Sequence, residues 1–273
     1  MTTTTAPAAA IREVGDPPSG PAKFVRDVWT VFLRELWPTL RDPFTLIFSL
    51  LQPLVFLALF GPLLGGLTGT GGAQAELGLQ WFLPGVLVMI ALFGTGVTGS
   101  NLLFEIMTGS HERTLVAPVS RAALLIGRAL KEMVPLTIQA AVIVIATIPF
   151  GFRLYPVGAL VGLLLLAVFG VGLGALSFTL GLASRDREWL FWGVQQTLLF
   201  PLMILSGVLL PLDAGPAWLQ TAAAFNPLTY LVAAERAAFA GDLLSPAIWQ
   251  GALAAALTAA VGLTVGLRAM RRS

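Results

Sequence analysis

The sequence predicts an all-α integral membrane protein: about six transmembrane helices, an amphipathic helix lying in the membrane interface ahead of them, and re-entrant outer helices between spans five and six. Three observations carry this. Apolar residues make up 56 % of the 273 positions and charged residues only 11 %, with a mean hydropathy of +0.85, whereas a soluble domain carries about a quarter of its residues charged. Several stretches reach the roughly 20 apolar residues that cross the hydrocarbon core as helix. Every Lys and Arg except Arg153 and Arg236 then falls on one side of those stretches.

Residues 1–21 are rich in Thr, Ala and Pro and contain no apolar run. They read as a disordered cytoplasmic tail rather than a signal peptide. Residues 22–273 form the membrane domain. Ala22–Trp37 places Lys23, Arg26, Asp27, Thr30 and Arg34 at helical spacing, with Phe24, Val25, Val28, Phe32 and Leu36 between them. That is an interfacial helix over residues 22–41, with its basic face toward lipid headgroups, and Arg41-Asp42-Pro43 ends it. The spans follow at about Phe44–Leu64, Trp81–Phe104, Leu130–Phe150, Val157–Ala183, Leu190–Leu210 and Ala247–Leu267. An even number of spans puts both termini on the cation-rich side, which the positive-inside rule makes cytoplasmic. The outer loop Gly65–Gln80 is short, and Gly151–Pro156 is only a turn. Leu205–Gly241 is long and apolar, with Pro211, Pro216 and Pro227 dividing pieces too short to span. Re-entrant helices over 213–241 fit it, since such backbone survives at membrane depth only when packed on protein.

The chemistry is sparse. There is no cysteine and a single histidine, His111, so neither a thiolate site nor a His-rich metal centre is expected. An intramembrane serine protease needs Ser and His together in the bilayer, but His111 stands in a charged inner loop beside Glu112 and Arg113. The spans lack the mid-depth carboxylate or histidine that a proton-coupled carrier uses. Arg128 and Glu132 are four apart and read as an ion pair on one helix surface; Glu235 and Arg236 read as compensating each other. The inner loop, residues 105–120, offers paired charges around Glu105, Glu112 and Arg113, either to dock a soluble partner or simply to solvate a helix connection. Gly94, Gly99, Ser100 and Asn101 are small or polar positions of the second span that could line a pathway. The glycine pairs 158/162, 170/174 and 262/266 permit close helix approach, and Trp81, Trp189, Trp192, Trp218 and Trp249 read as an interfacial belt. A phosphate loop requires lysine after glycine. The two lysines, Lys23 and Lys131, follow Ala22 and Leu130, so the chain is expected not to be an enzyme.

Three blocks carry a family resemblance. They are Glu112-Arg113-Thr114-Leu115 with Ala117-Pro118-Val119-Ser120-Arg121; Ser206-Gly207-Val208-Leu209-Leu210-Pro211-Leu212; and Asn226-Pro227-Leu228-Thr229-Tyr230 behind Pro216-Ala217-Trp218-Leu219. With the amphipathic helix, they make the chain resemble the permease subunit of type-2 ATP-binding-cassette exporters, in the daunorubicin-resistance-type branch. Gly109-Ser110-His111 stands where that family often has a longer Glu/Arg-rich run. The resemblance implies a permease domain that pairs with itself in the plasma membrane and moves a lipophilic drug or antibiotic out of the cell. A lipid-linked polysaccharide is the other cargo of such a family, and an ion-coupled carrier is the alternative outside it. The resemblance also implies a separate ATPase subunit holding ATP and magnesium, with no cofactor on this chain and no nucleic acid among its partners. Its coupling residues would be Glu105, Glu112, Arg113, Thr114 and Leu115. Pathway or outer-gate positions would be Gly94, Gly99, Ser100, Asn101, Ser206, Gly207, Pro211, Asn226 and Pro227.

Overall fold

The computed structural model describes residues 20–67, 72–110, 119–209, 211–212 and 215–272. Among these the regular elements are helices, and none is a strand.

Helix α1, Pro21–Arg41, starts with proline at its first turn, where the missing N–H costs no hydrogen bond. Its buried face holds Asp27, Val31 and Leu36. A second stripe at four-residue spacing, Val25, Trp29, Leu33 and Trp37, is left exposed and entirely apolar. Asp42 breaks the helix and Pro43 opens α2, Pro43–Leu67. Helix α3, Gly72–Gly94, supplies the centre of the core: Phe82, Leu83 and Val86–Leu92 are all buried. Thr95 interrupts it between two glycines, its hydroxyl donating to the Ala91 carbonyl, and α4, Gly96–Met107, carries the rod onward.

Helix α5, Arg121–Lys131, is capped by Ser120, whose hydroxyl accepts from the Ala123 N–H. It continues through Glu132 into α6, Met133–Thr147, and ends in a 3-10 turn at Ile148–Phe150. Pro135 causes the slip at Glu132, because it has no N–H to offer the Lys131 carbonyl one turn back. Helix α7, Pro156–Ala183, and α8, Glu188–Leu205, follow. Two helices of 8 and 13 residues, α9 (Ala217–Ala224) and α10 (Pro227–Phe239), are too short to cross a bilayer. The chain then returns through α11, Pro246–Arg272.

By length and composition, four helical stretches can span a membrane: Gly78–Met107, Arg121–Phe150, Pro156–Ala183 and Pro246–Arg271. The first expected span, Phe44–Leu64, falls wholly within α2, and the apolar stretch found there among the described residues is Ile47–Phe60. The fifth ends at Leu205, not Leu210, because Gly207 turns left-handed (φ 73°) and terminates it. Neither α2 nor α8 is deeply packed. Phe44, Phe48, Leu51 and Leu59 of α2, and Trp189, Leu198, Phe200 and Ile204 of α8, all lie exposed.

The firmest joint is α7 against α11. A Cβ on Gly172 would lie 2.6 Å from the Ala259 nitrogen and from the Thr258 carbonyl carbon, and one on Gly262 would strike the Gly172 carbonyl oxygen. Of the glycine pairs expected from spacing, 262/266 reaches this joint through Gly262, and its partner is Gly172, which the four-residue rule does not select. Gly172→Val is expected to lower stability by about 1–3 kcal/mol, since only backbone stands in the way and no rotamer change relieves it. Thermal unfolding in detergent measures this. Gly193→Ala on α8, where the added Cβ meets nothing within 4 Å, is the neutral comparison.

Candidate functional site: a buried charge cluster, a polar cavity and a clamp of short helices

Arg128 is 5 % exposed and draws four helices together. Its guanidinium bonds Glu105 of α4 at 2.5 Å and approaches Glu35 of α1 to 3.2 Å. It also stands 5.6 Å from the ring centre of Phe178 on α7. Both carboxylates meet the same terminal nitrogen, Nη2, so a single positive charge compensates two acids from different helices. The expected pairing of Arg128 with Glu132 is therefore not made. Glu132 instead lies 2.8 Å from Lys131, because Arg128 reaches out to α1 and α4 while the slip at Glu132 swings that side chain toward Gly174 of α7. Glu105 occupies the last turn of α4, immediately ahead of residues 111–118. His111, Glu112, Arg113, Thr114 and Leu115 lie outside the described residues. At the other end of α5, Arg121 donates to the Met270 carbonyl at 2.8 Å, tying α5 to the C-terminal turn of α11.

Above the cluster, the α1–α2 corner, α3, α4 and α6 enclose a cavity of about 280 Å³. Gly94 and Asn101, both expected to line a pathway, do line it, as do Lys131, Glu132 and Gln139. Gly99 and Ser100 do not. The Gly99 N–H donates to the Ser177 hydroxyl at 3.1 Å and its Cα face meets Phe191, so it serves helix packing. Ser100 bonds back to the Val97 carbonyl.

At the opposite end, α10 caps α8. Asn226 accepts the Leu228 N–H at 3.1 Å, capping its own helix. Its amide donates to the Leu202 carbonyl at 2.8 Å. The Thr229 hydroxyl stands 3.1 Å from the Leu205 carbonyl, and Arg236 donates to the Gly207 carbonyl at 2.8 Å. Two of the last carbonyls of α8, orphaned as at any helix end, are thus taken by Asn226 and Thr229, and Arg236 takes that of Gly207 just beyond the helix. Arg236 also donates to the Trp81 carbonyl and lies over the Trp81 ring at 3.7 Å.

Glu235 and Arg236 do not compensate each other. Consecutive helical residues point about 100° apart. Glu235 is fully buried on the other face beside Gly162 and Phe239, and neither of its oxygens has a hydrogen-bond partner among the described residues. Of the expected outer residues, Gly207, Asn226 and Pro227 belong to the clamp, and Ser206 bonds the Met203 carbonyl beside it. Arg236, which ties it together, was read in the sequence only as a neighbour of Glu235. Of the belt residues, Trp81 is engaged by Arg236, while Trp189, Trp218 and Trp249 are widely exposed.

An all-helical apolar bundle, with several helices long and apolar enough to cross a bilayer, is a multi-pass membrane protein in class. The ABC-2 type transporter profile matches residues 26–240. The chain belongs to that family, in the branch of the drug-resistance permeases. It is 33 % identical over 211 residues to the transport permease ycf38 of Cyanophora paradoxa, covering 77 % of this chain and 72 % of that one. It is 29 % identical over 210 residues to the daunorubicin resistance ABC transporter permease protein DrrB1 of Streptomyces coeruleorubidus (75 % and 73 %). With the doxorubicin resistance ABC transporter permease protein DrrC of Mycobacterium tuberculosis, it shares 28 % over 236 residues (84 % and 83 %).

Proposed function

We propose that this chain is the transmembrane subunit of an ATP-driven exporter that moves a lipophilic drug or antibiotic-like molecule out of the cytoplasm or the inner leaflet. It works as a homodimer in the plasma membrane, with six spans, both termini cytoplasmic and α9–α10 re-entrant from the outside. A separate ATP-binding-cassette subunit holds ATP and magnesium and docks on the loop containing Glu112, Arg113, Thr114 and Leu115. The observation that carries this reading is the position of Glu105 in the Arg128 cluster. Relatives named for drug resistance supply the cargo class, and the cluster supplies a route for force. The docking loop begins a few residues beyond Glu105, and a push on it reaches α1, α5 and α7 through a single guanidinium. The exposed apolar faces of α2 and α8 are the surfaces a second copy would cover.

The test is reconstitution. The permease is co-expressed with its candidate ATPase, placed in liposomes, and assayed for ATP hydrolysis and for movement of daunorubicin. Hydrolysis stimulated by the drug, with ATP-dependent movement, is the expected result. Drug movement driven by a proton gradient without ATP would replace this reading with an ion-coupled carrier.

A further inference from the structure

Glu235 of α10 is fully buried, and bare backbone seals it in. On the α7 side, a Cβ at Gly162 would lie 2.5 Å from Glu235 Oε2 and 2.8 Å from the Phe239 ring, and one at Gly158 would strike the Ala238 carbonyl oxygen. On the α11 side, a Cβ at Gly251 would strike the Ala234 side chain and stand 3.0 Å from the Tyr230 carbonyl oxygen. Helix α10 is thus pressed between two glycine faces that leave no layer of water. Within that seat, neither Glu235 oxygen has a hydrogen-bond partner among the described residues.

No element packed on α10 brings a counter-charge to it. Helices α7 and α9 contain no ionisable residue. The charged residue of α3 is Glu76, near its start, and that of α8 is Glu188, at the end remote from α10. In α11 the charges are Arg268, Arg271 and Arg272, at the far end from Gly251. On α10 itself, Arg236 is turned to Trp81 and Gly207, and the Tyr230 hydroxyl donates to the Ala224 carbonyl. Arg153, Tyr155 and Asp242, in the turns beyond the helix ends, are exposed. An unpaired carboxylate in such a site costs far more than the neutral acid, so the group takes a proton instead.

We propose that Glu235 is a proton-binding site: its carboxyl holds a proton while α10 lies against α7, and gives it up to water when the two helices part. The O–H electron pair stays on the carboxylate. Each parting then releases one proton, so the seat is firmest in acid and weakens as pH rises. Above the ordinary carboxylate range the parted fraction grows about tenfold per pH unit, until the seated form itself ionises. Arg236, one residue on, fastens the same helix to Gly207 and Trp81, so this proton sets how firmly the clamp rests on the α7–α11 joint. The inference goes beyond the exporter reading and holds whatever the cargo.

The permease alone, in dodecyl maltoside, a detergent with no carbonyl of its own, is compared with Glu235→Gln by infrared difference spectroscopy. At about pH 6.5, where exposed carboxylates are ionised, the parent is expected to show the C=O stretch of a protonated acid that the variant lacks. Amide exchange over residues 227–239, corrected for its intrinsic pH dependence, is then followed from about pH 6 to about pH 7.5. It should rise about tenfold per pH unit in the parent and stay flat in Glu235→Gln. Glu235→Leu, which suits the apolar seat, should give the same flat profile, and it serves if the glutamine amide disturbs folding. An acid band that survives the substitution or is absent from the parent, or a parent profile as flat as that of Glu235→Leu, would overturn the proposal. Neither measurement contains ATP, an ATPase or a drug, so this inference and the exporter reading fail separately.

Discussion

Arg128→Ala should nearly abolish coupled transport while leaving the partner ATPase able to turn over. The substitution strands Glu35 and Glu105 beside each other in a site where the arginine was their shared counter-charge. Removing one member of a buried ion cluster costs about 3–5 kcal/mol. The lower end applies here, because both carboxylates retain some solvent contact, at 18 % and 23 % exposure. The strand of contacts from α4 to α1 would be cut at its only charged link among the described residues. Two companions separate folding from coupling. Arg128→Lys keeps the charge but shortens the side chain and loses the planar group over Phe178, so unfolding temperature should change little while transport falls several-fold. The neutral triple variant Arg128→Met, Glu35→Gln, Glu105→Gln removes the stranded charge altogether, and should fold about as well as the parent yet transport poorly. If the triple variant transports normally, the cluster is packing and not a transmission point. Drug movement per ATP hydrolysed, measured in the same liposomes, is the readout.

The second large effect is expected at the clamp between α8 and α10. Arg236→Ala frees the carbonyls of Trp81 and Gly207 and removes the cation from the face of Trp81. Hydrogen bonds from a charged donor contribute about 1.5–3 kcal/mol each, and a desolvated cation–π contact about 2. These terms overlap, so the loss should be about 2–4 kcal/mol in all. Its signature is local: amide exchange over residues 217–239 should accelerate, while α7 and α11 keep their protection. Arg236→Lys should recover part of it, through one carbonyl and the ring. Unchanged exchange in the alanine variant would mean that Asn226 and Thr229 hold α10 in place without the arginine.

The sequence was informative wherever a signal is local. The charge and proline signals around Arg41-Asp42-Pro43 mark the corner between α1 and α2, and Pro216 and Pro227 mark the starts of the two short helices because proline is suited to the first turn of a helix. The fifth span was drawn too long because hydropathy continues through Val208 and Leu209, while the chain direction is set by a left-handed Gly207. Arg128 was paired with its own helix because spacing sees only neighbours along one rod. Its actual partners sit on α1 and α4, where no periodicity in a single sequence can place them. The four-residue glycine rule has the same limit: it finds close-packing stripes but not which helix lies across them, so Gly172 was passed over. Gly99 was read as a pathway residue for being small, when smallness there admits Ser177 and Phe191. The family was legible because its blocks are short linear motifs. The Arg128 and Arg236 contacts were not, because they are three-dimensional facts.

Helices α7 and α11 meet at Gly172 and Gly262 with no side chain between them. Most helix contacts can slide, because intervening rotamers re-sort as the rods shift. A crossing made of bare backbone has no such lubricant, and any displacement there opens a void that nothing nearby can refill. The two helices therefore travel as one rigid strut, whose end at the C-terminal turn of α11 is fastened to α5 by the Arg121–Met270 bond. A displacement of either helix is passed to the other without loss.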